Sequence, residues 1–145
     1  MTEPEESRAS LMPILTAAAI VAAALIAIFV ARLFRGDDVP DNDAVARAVV
    51  GQNDALQRQN YTDFKNFTCL AQQGVENQVL ADQKQSVSTK GHRFVDDVKD
   101  MAVTGDRATA TVVYHFEKAA ENKIDATMTM VRENGDWKVC SPGPK

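Results

Sequence analysis

The chain has 145 residues, a formal charge of −4 and a pI near 5.1. An acidic chain offers no cationic footprint for phosphates, which excludes nucleic acid as a partner class. Two cysteines and two histidines, widely scattered, cannot build a structural zinc site.

From the N-terminus, the first feature is a stretch of 23 residues, Ala9 to Ala31, between Arg8 and Arg32, with no Asp, Glu, Lys, Arg or His. As a helix it is about 34 Å long, enough to cross a bilayer core of about 30 Å. A cleaved signal peptide needs a basic start, a shorter apolar run and a small-x-small site at its end. Here the start is acidic, and the Ala-x-Ala options fall inside a run that continues through Leu25 to Val30. The reading is an uncleaved anchor: residues 1–10 a cytoplasmic tail, residues 11–34 a transmembrane helix. Ala19, Ala23, Ala27 and Ala31 repeat every four residues, a spacing that lets another membrane helix approach closely. Orientation is contested within the sequence. The Lys and Arg count weakly favours a cytoplasmic C-terminal domain. The cysteines favour the opposite, and a difference of one charge is the feebler signal.

Residues 35–43 form an acidic linker that loads negative charge at the start of a helix, where the helix dipole favours it. The remaining ~110 residues are room for one small domain, 44–145. The spacing of Val45, Ala48, Val49, Gln52, Ala55 and Leu56 predicts a helix over 43–60. A second helix is expected over 62–70, with Thr62 as its N-cap, and a third over 75–85 after Gly74. The period then changes from 3.6 to 2. Strands are expected over 94–103, 107–117, around Ile124 to Met130, and over 137–141. Asn134-Gly135 suits a type I′ hairpin turn before the last strand. Helices first and then an antiparallel meander make an α+β fold.

Cys69 ends the second predicted helix and Cys140 lies on the last strand. Inside the cytoplasm such a pair reads as two buried thiols; outside it, as one disulfide. A Cys69–Cys140 bridge would close a loop of about 70 residues, worth roughly 4 kcal/mol in the loop-entropy model. This is the expectation, and with it an extracytoplasmic domain.

Three segments carry a family resemblance: Phe64-Lys65-Asn66-Phe67-Thr68-Cys69, the strand pair from Val103 through Gly105-Asp106 to Val113, and the tail from Val131 through Gly135-Asp136-Trp137-Lys138-Val139-Cys140 to Pro142. Over residues 41–143 the chain resembles the membrane-anchored NTF2-like domains of actinobacteria, including the Mce-associated proteins. The resemblance implies helices wrapped on a curved antiparallel sheet, placed outside the cytoplasmic membrane. It implies an accessory role in a membrane complex more often than an enzymatic one.

NTF2-like enzymes place carboxylates, Tyr or His inside the cone for acid–base work. The inward face of the central strand reads Ala108, Ala110, Val112, Tyr114 and Phe116, where only Tyr114 is polar. A core tyrosine is the plainer account of it. Val112, Tyr114, Phe116, Met128 and Met130 would line a pocket if the cone were open to a small hydrophobic ligand. His115 falls on the opposite face by parity and His92 in a loop, neither with an acid at a spacing that makes a dyad. Asp63 reads as structural, and Asp96, Asp97 and Asp100 as a solvated strand edge. No phosphate-binding glycine loop is present. The expectation is a non-enzyme without cofactor or metal: an accessory subunit of a membrane complex, a respiratory-chain supercomplex first. The alternative is an Mce-type lipid-transport accessory protein or a binding module for a small hydrophobe. Its partners would be the bilayer and other subunits of the complex.

Overall fold

The structure is a computed structural model that describes residues 40–145. The anchor with its stripe Ala19, Ala23, Ala27 and Ala31, the cytoplasmic tail and most of the acidic linker lie outside the described residues. Among those described, no helix is long and apolar enough to cross a membrane.

Three helices precede four strands. Helix α1 spans Asp41–Gln57, α2 spans Tyr61–Phe67 and α3 spans Glu76–Lys90. Strands β1 (Arg93–Thr104), β2 (Arg107–Phe116), β3 (Ile124–Glu133) and β4 (Asp136–Val139) pair in chain order as an antiparallel meander. The result is the expected α+β domain.

Helix α1 carries the packing. Its stripe Val45, Ala48 and Val49 joins Ala108, Ala110, Val112 and Tyr114 of β2, Met128 and Met130 of β3, and Trp137 and Val139 of β4 in one cluster. The period-2 alternation of β2 delivers every second side chain to this face, and it does so without exception from Ala108 to Phe116. Val45, Val112, Met128, Met130 and Val139 are 0% exposed. Each such side chain contributes about 1.5–3 kcal/mol relative to exposure.

Several boundaries differ from the sequence reading. Helix α1 starts at Asp41, inside the segment read as linker, because Asp41 is not a free solvated acid. Its Oδ1 accepts the Trp137 indole N–H at 3.1 Å and pairs with Arg132. It ends at Gln57 because the chain reverses at Gln59, whose φ is +55°. The N-cap of α2 is Asn60, not Thr62. Asn60 Oδ1 accepts the Asp63 main-chain N–H at 3.0 Å while its amide donates to the Asp63 carboxylate at 2.8 Å. This reciprocal cap confirms the structural role read for Asp63. Helix α2 stops at Phe67, so Cys69 lies beyond it, followed by a short 3₁₀ turn at Leu70–Gln72. Helix α3 runs to Lys90, where Gly91 at φ +79° closes it.

Strand β1 is bulged twice. Asp96 is an extra residue between Val95 and Asp97, and the register shifts again between Lys99 and Ala102, where Asp100 takes φ +53°. The cysteines end up side by side. Cys69 and Cys140 form a disulfide with their Cα atoms 5.2 Å apart, across 71 positions of sequence. Next to it the Cys69 N–H donates to the Val139 carbonyl at 2.9 Å, and Thr68 bridges Val139 in parallel.

Gly51 marks the closest approach of α1 and α2: a Cβ there would meet the Phe67 ring at 2.6 Å. Ala is about 1 kcal/mol better than Gly inside a helix, but overpacking costs about 1–3 kcal/mol. Gly51→Ala is therefore expected to lower the melting temperature by several degrees in the parent chain and to raise it in a Phe67→Ala background. Equal signs in both backgrounds, read by thermal denaturation, would show that the ring does not set this distance.

Candidate functional site

The inner face of the sheet is where an NTF2-like enzyme would hold its acid–base groups. Here Val112, Tyr114, Met128 and Met130 are at most 1% exposed and Phe116 is 5% exposed. Of the five read from the sequence as candidate pocket residues, Val112, Tyr114, Met128 and Met130 belong to the packed core, while Phe116 borders an open hollow beside Lys90, Lys118 and Ile124. Small residues of α1 and β2 allow the two layers to meet closely enough to close the space. Tyr114 lies under the Arg93 guanidinium, 5.0 Å from ring centroid to Cζ. Burial pushes the Tyr114 phenol up from its ordinary range and pulls the Arg93 guanidinium down, because each charged form loses solvation.

Arg93 was not anticipated. It opens β1, is 7% exposed, and donates from Nε to Asn53 Oδ1 at 2.8 Å. The Asn53 amide in turn donates to the Arg93 carbonyl at 3.0 Å. Nη1 donates to the Pro144 carbonyl. Gln52, counted on the apolar stripe, is buried and polar: its amide donates to the Thr68 hydroxyl at 3.0 Å. Helix α1 thus presents two buried amides, each with a partner more than 15 positions away, as burial requires.

A second cluster lies on the outer face. His115 Nδ1 is 2.8 Å from Asp96 Oδ2, Lys123 Nζ is 2.9 Å from the same oxygen, and the Phe94 ring stacks on the imidazole at 4.9 Å. This corrects the reading of His115 as lacking a paired acid and of Asp96 as part of a solvated edge. The ladder sets Phe94 directly opposite His115, and the bulge lets Asp96 reach the same ring. A signal was present: counting back from the turn at Gly105 in an unbulged ladder sets Asp96 opposite His115.

A carboxylate–imidazole pair orients a ring and stabilises its cation, and becomes a catalytic base when a nucleophile or substrate meets the other nitrogen. Among the described residues, the side chains that hydrogen-bond to or stack on His115 are Asp96, Lys123 and Phe94. His92, the other histidine, sits at the head of β1, with Nδ1 3.1 Å from Gln57 Oε1 and its main-chain N–H on Glu117. Among the described residues no group of three His, Cys, Asp or Glu is placed to hold a metal ion.

The chain's own topology, helices and then a four-stranded meander, has the order that the NTF2-like resemblance implies. No family model and no curated protein matches the chain. Solved structures do. A protein of Campylobacter jejuni provisionally described as an NTF2-like transpeptidase is 14% identical, with 72% of this chain and 100% of that one covered, at a TM-score of 0.49. An NTF2-like protein of unknown function from Shewanella oneidensis is 11% identical, covering 68% and 93%, at 0.48. A provisional dehydratase of the NTF2-like family from Streptomyces avermitilis is 20% identical, covering 70% and 93%, at 0.47.

The Asp96 carboxyl is held below the usual carboxylate range, first by the hydrogen bond from Lys123 and then by that from His115. A depressed folded-state pKa contributes stability above the unfolded value of about 3.9, and that contribution is lost as pH falls through the folded value. Between about pH 5 and pH 2 the parent chain should therefore lose more stability than Asp96→Asn. Unfolding curves of the two chains that fall in parallel would contradict the pairing.

Proposed function

We propose that the protein is a single-pass membrane protein whose domain lies outside the cytoplasmic membrane and serves as a non-catalytic docking subunit of a larger membrane complex. The observation that carries this reading is the closed inner face. Where an acid–base enzyme of this architecture needs an open, polar space, Val112, Tyr114, Met128 and Met130 are packed at most 1% exposed. Leu70, Val75, Val50, Phe94 and Ile124 stay exposed and are the apolar side chains a partner would cover. The bridged cysteine pair supports an oxidising compartment. The uncharged stretch from Ala9 to Ala31 supports an anchor, and its alanine stripe supports close packing against a neighbouring helix.

In this account the work is done by surfaces. Within the actinobacterial setting of the resemblance, a respiratory-chain supercomplex is the first candidate assembly and an Mce-type lipid-transport complex the second. The identity of the co-purifying chains separates them.

Two measurements test the proposal. A cysteine introduced at Asn122, in the exposed loop before β3, should react with a membrane-impermeant thiol reagent in intact cells. Labelling only after cell breakage would place the domain inside. Replacing Ala23 and Ala27 together by Leu should reduce recovery of the co-purifying complex at least several-fold, since close packing is what holds membrane helices together, while insertion survives. Tyr114→Phe and His115→Ala should leave recovery unchanged. The reverse pattern, with Tyr114→Phe abolishing function and the alanine replacements without effect, would favour a site inside the domain.

A further inference from the structure

Arg93 is a buried cation without a counter-charge. It is 7% exposed, and among the described residues no carboxylate lies within ion-pairing distance of it. Its Nε is committed to the Asn53 side-chain oxygen and its Nη1 to the Pro144 carbonyl. Both acceptors are neutral. Nη2 donates to no described residue. One acid, Asp82, borders the same space. Its two oxygens are already occupied, by Gln78 at 2.7 Å and Lys145 at 3.2 Å. A guanidinium taken out of water costs several kcal/mol unless an anion and good hydrogen bonds offset the loss. Here the neutral acceptors offset part of it.

The guanidinium borders a partly open cavity of about 170 Å³ between α1, α2, α3 and the tail after Cys140. Water occupies roughly 30 Å³ per molecule, so the space holds about five water-sized groups. Leu56, Phe64, Val79 and Pro142 supply apolar wall, Gln52, Gln72 and Ser141 neutral polar wall, and Arg93 a cationic edge. The tail closes the cavity against the arginine: a Cβ on Gly143 would come within 3.0 Å of Nη1. Lys145 and Asp82 cancel each other's charge at the rim, which leaves Arg93 as the net charge of the site.

We propose that this cavity binds a small organic carboxylate, with its carboxylate on the free edge of Arg93 and a short hydrocarbon body against Leu56, Phe64 and Val79. An arginine edge matches a carboxylate better than any other common anion of this size that also carries an apolar body, because the two planar groups can pair. The ligand would supply the missing counter-charge and fill the apolar side. The site is independent of the docking reading and of the filled core beneath Tyr114.

The test uses the full chain in maltoside detergent and isothermal titration with butyrate, inorganic phosphate and 1-butanol. Saturable millimolar binding of butyrate is expected, with no saturable binding of 1-butanol, which has the body without the charge, and weaker binding of phosphate, which has the charge without the body. Arg93→Gln should weaken butyrate binding at least tenfold. Leu56→Trp, which fills the cavity and leaves the arginine in place, should do the same and remains decisive if Arg93→Gln does not fold. The proposal is overturned if butyrate fails to saturate in the parent chain, if 1-butanol or phosphate binds as tightly as butyrate, or if Leu56→Trp binds as the parent does.

Discussion

The domain depends on how its helical layer is held to the end of its sheet. Strand β4 has four residues, and a strand that short contributes few ladder hydrogen bonds of its own. Yet it is the point at which the segment after α2 meets the sheet. The Cys69 N–H on Val139 and the parallel bridge at Thr68 fall at its last residue, and the disulfide from Cys69 to Cys140 lies one position beyond it. Gln52 adds a buried hydrogen bond from α1 to Thr68. At the other end of β4, Trp137 donates to Asp41 at the head of α1. Both ends of a four-residue strand are therefore tied to the helical layer, one with the disulfide just beyond it and one by a half-buried polar pair.

This arrangement explains why the inner face can be closed. Once β4 and α1 are fixed to each other, the alternation of β2 and β3 presents Ala108, Ala110, Val112, Met128 and Met130 to a helix stripe of Val45, Ala48 and Val49. Alanines on both layers bring backbones close, and methionine fills the irregular space that remains. Of the buried polar residues, Gln52 and Asn53 lie in the second half of α1, and Arg93 of β1 meets Asn53 there. Gln52 donates to Thr68, Asn53 both donates to and accepts from Arg93, and the arginine's own acceptors are neutral. Arg93, which opens β1, lies over the ring of Tyr114 and so borders the apolar core directly.

Much of this was legible in the sequence because it rests on local periodicity. The alternation from Ala108 to Phe116, the Asn134-Gly135 turn, the helix stripe at Val45, Ala48 and Val49 and the helix-then-strand order are repeats of 2 and 3.6 residues written directly in the chain. What was missed requires long-range register or hydrogen bonding. The Asp96–His115 pair needs the cross-strand register counted back from the turn at Gly105, which the local pattern of β1 does not display. Asn53 and Arg93 pair across 40 positions, and nothing local in either segment marks them. Asn60 displaced Thr62 as a cap because the turn at Gln59 decides where the helix begins. Helix α3 runs on to Lys90 through Ser86, Ser88 and Thr89, where there is no apolar stripe to read and Gly91 is the only mark of its end.

The account stands on the bridge that fastens the segment after α2 to the end of β4. Its most direct test is the redox state of the two cysteines in growing cells. Cells would be quenched in acid, and the protein alkylated with a mass-adding maleimide before and after reduction. The account predicts no mass shift before reduction and a two-label shift after it. Labelling of both cysteines without reduction would contradict it, leaving Cys69 and Cys140 as buried thiols and removing the support for a domain outside the membrane.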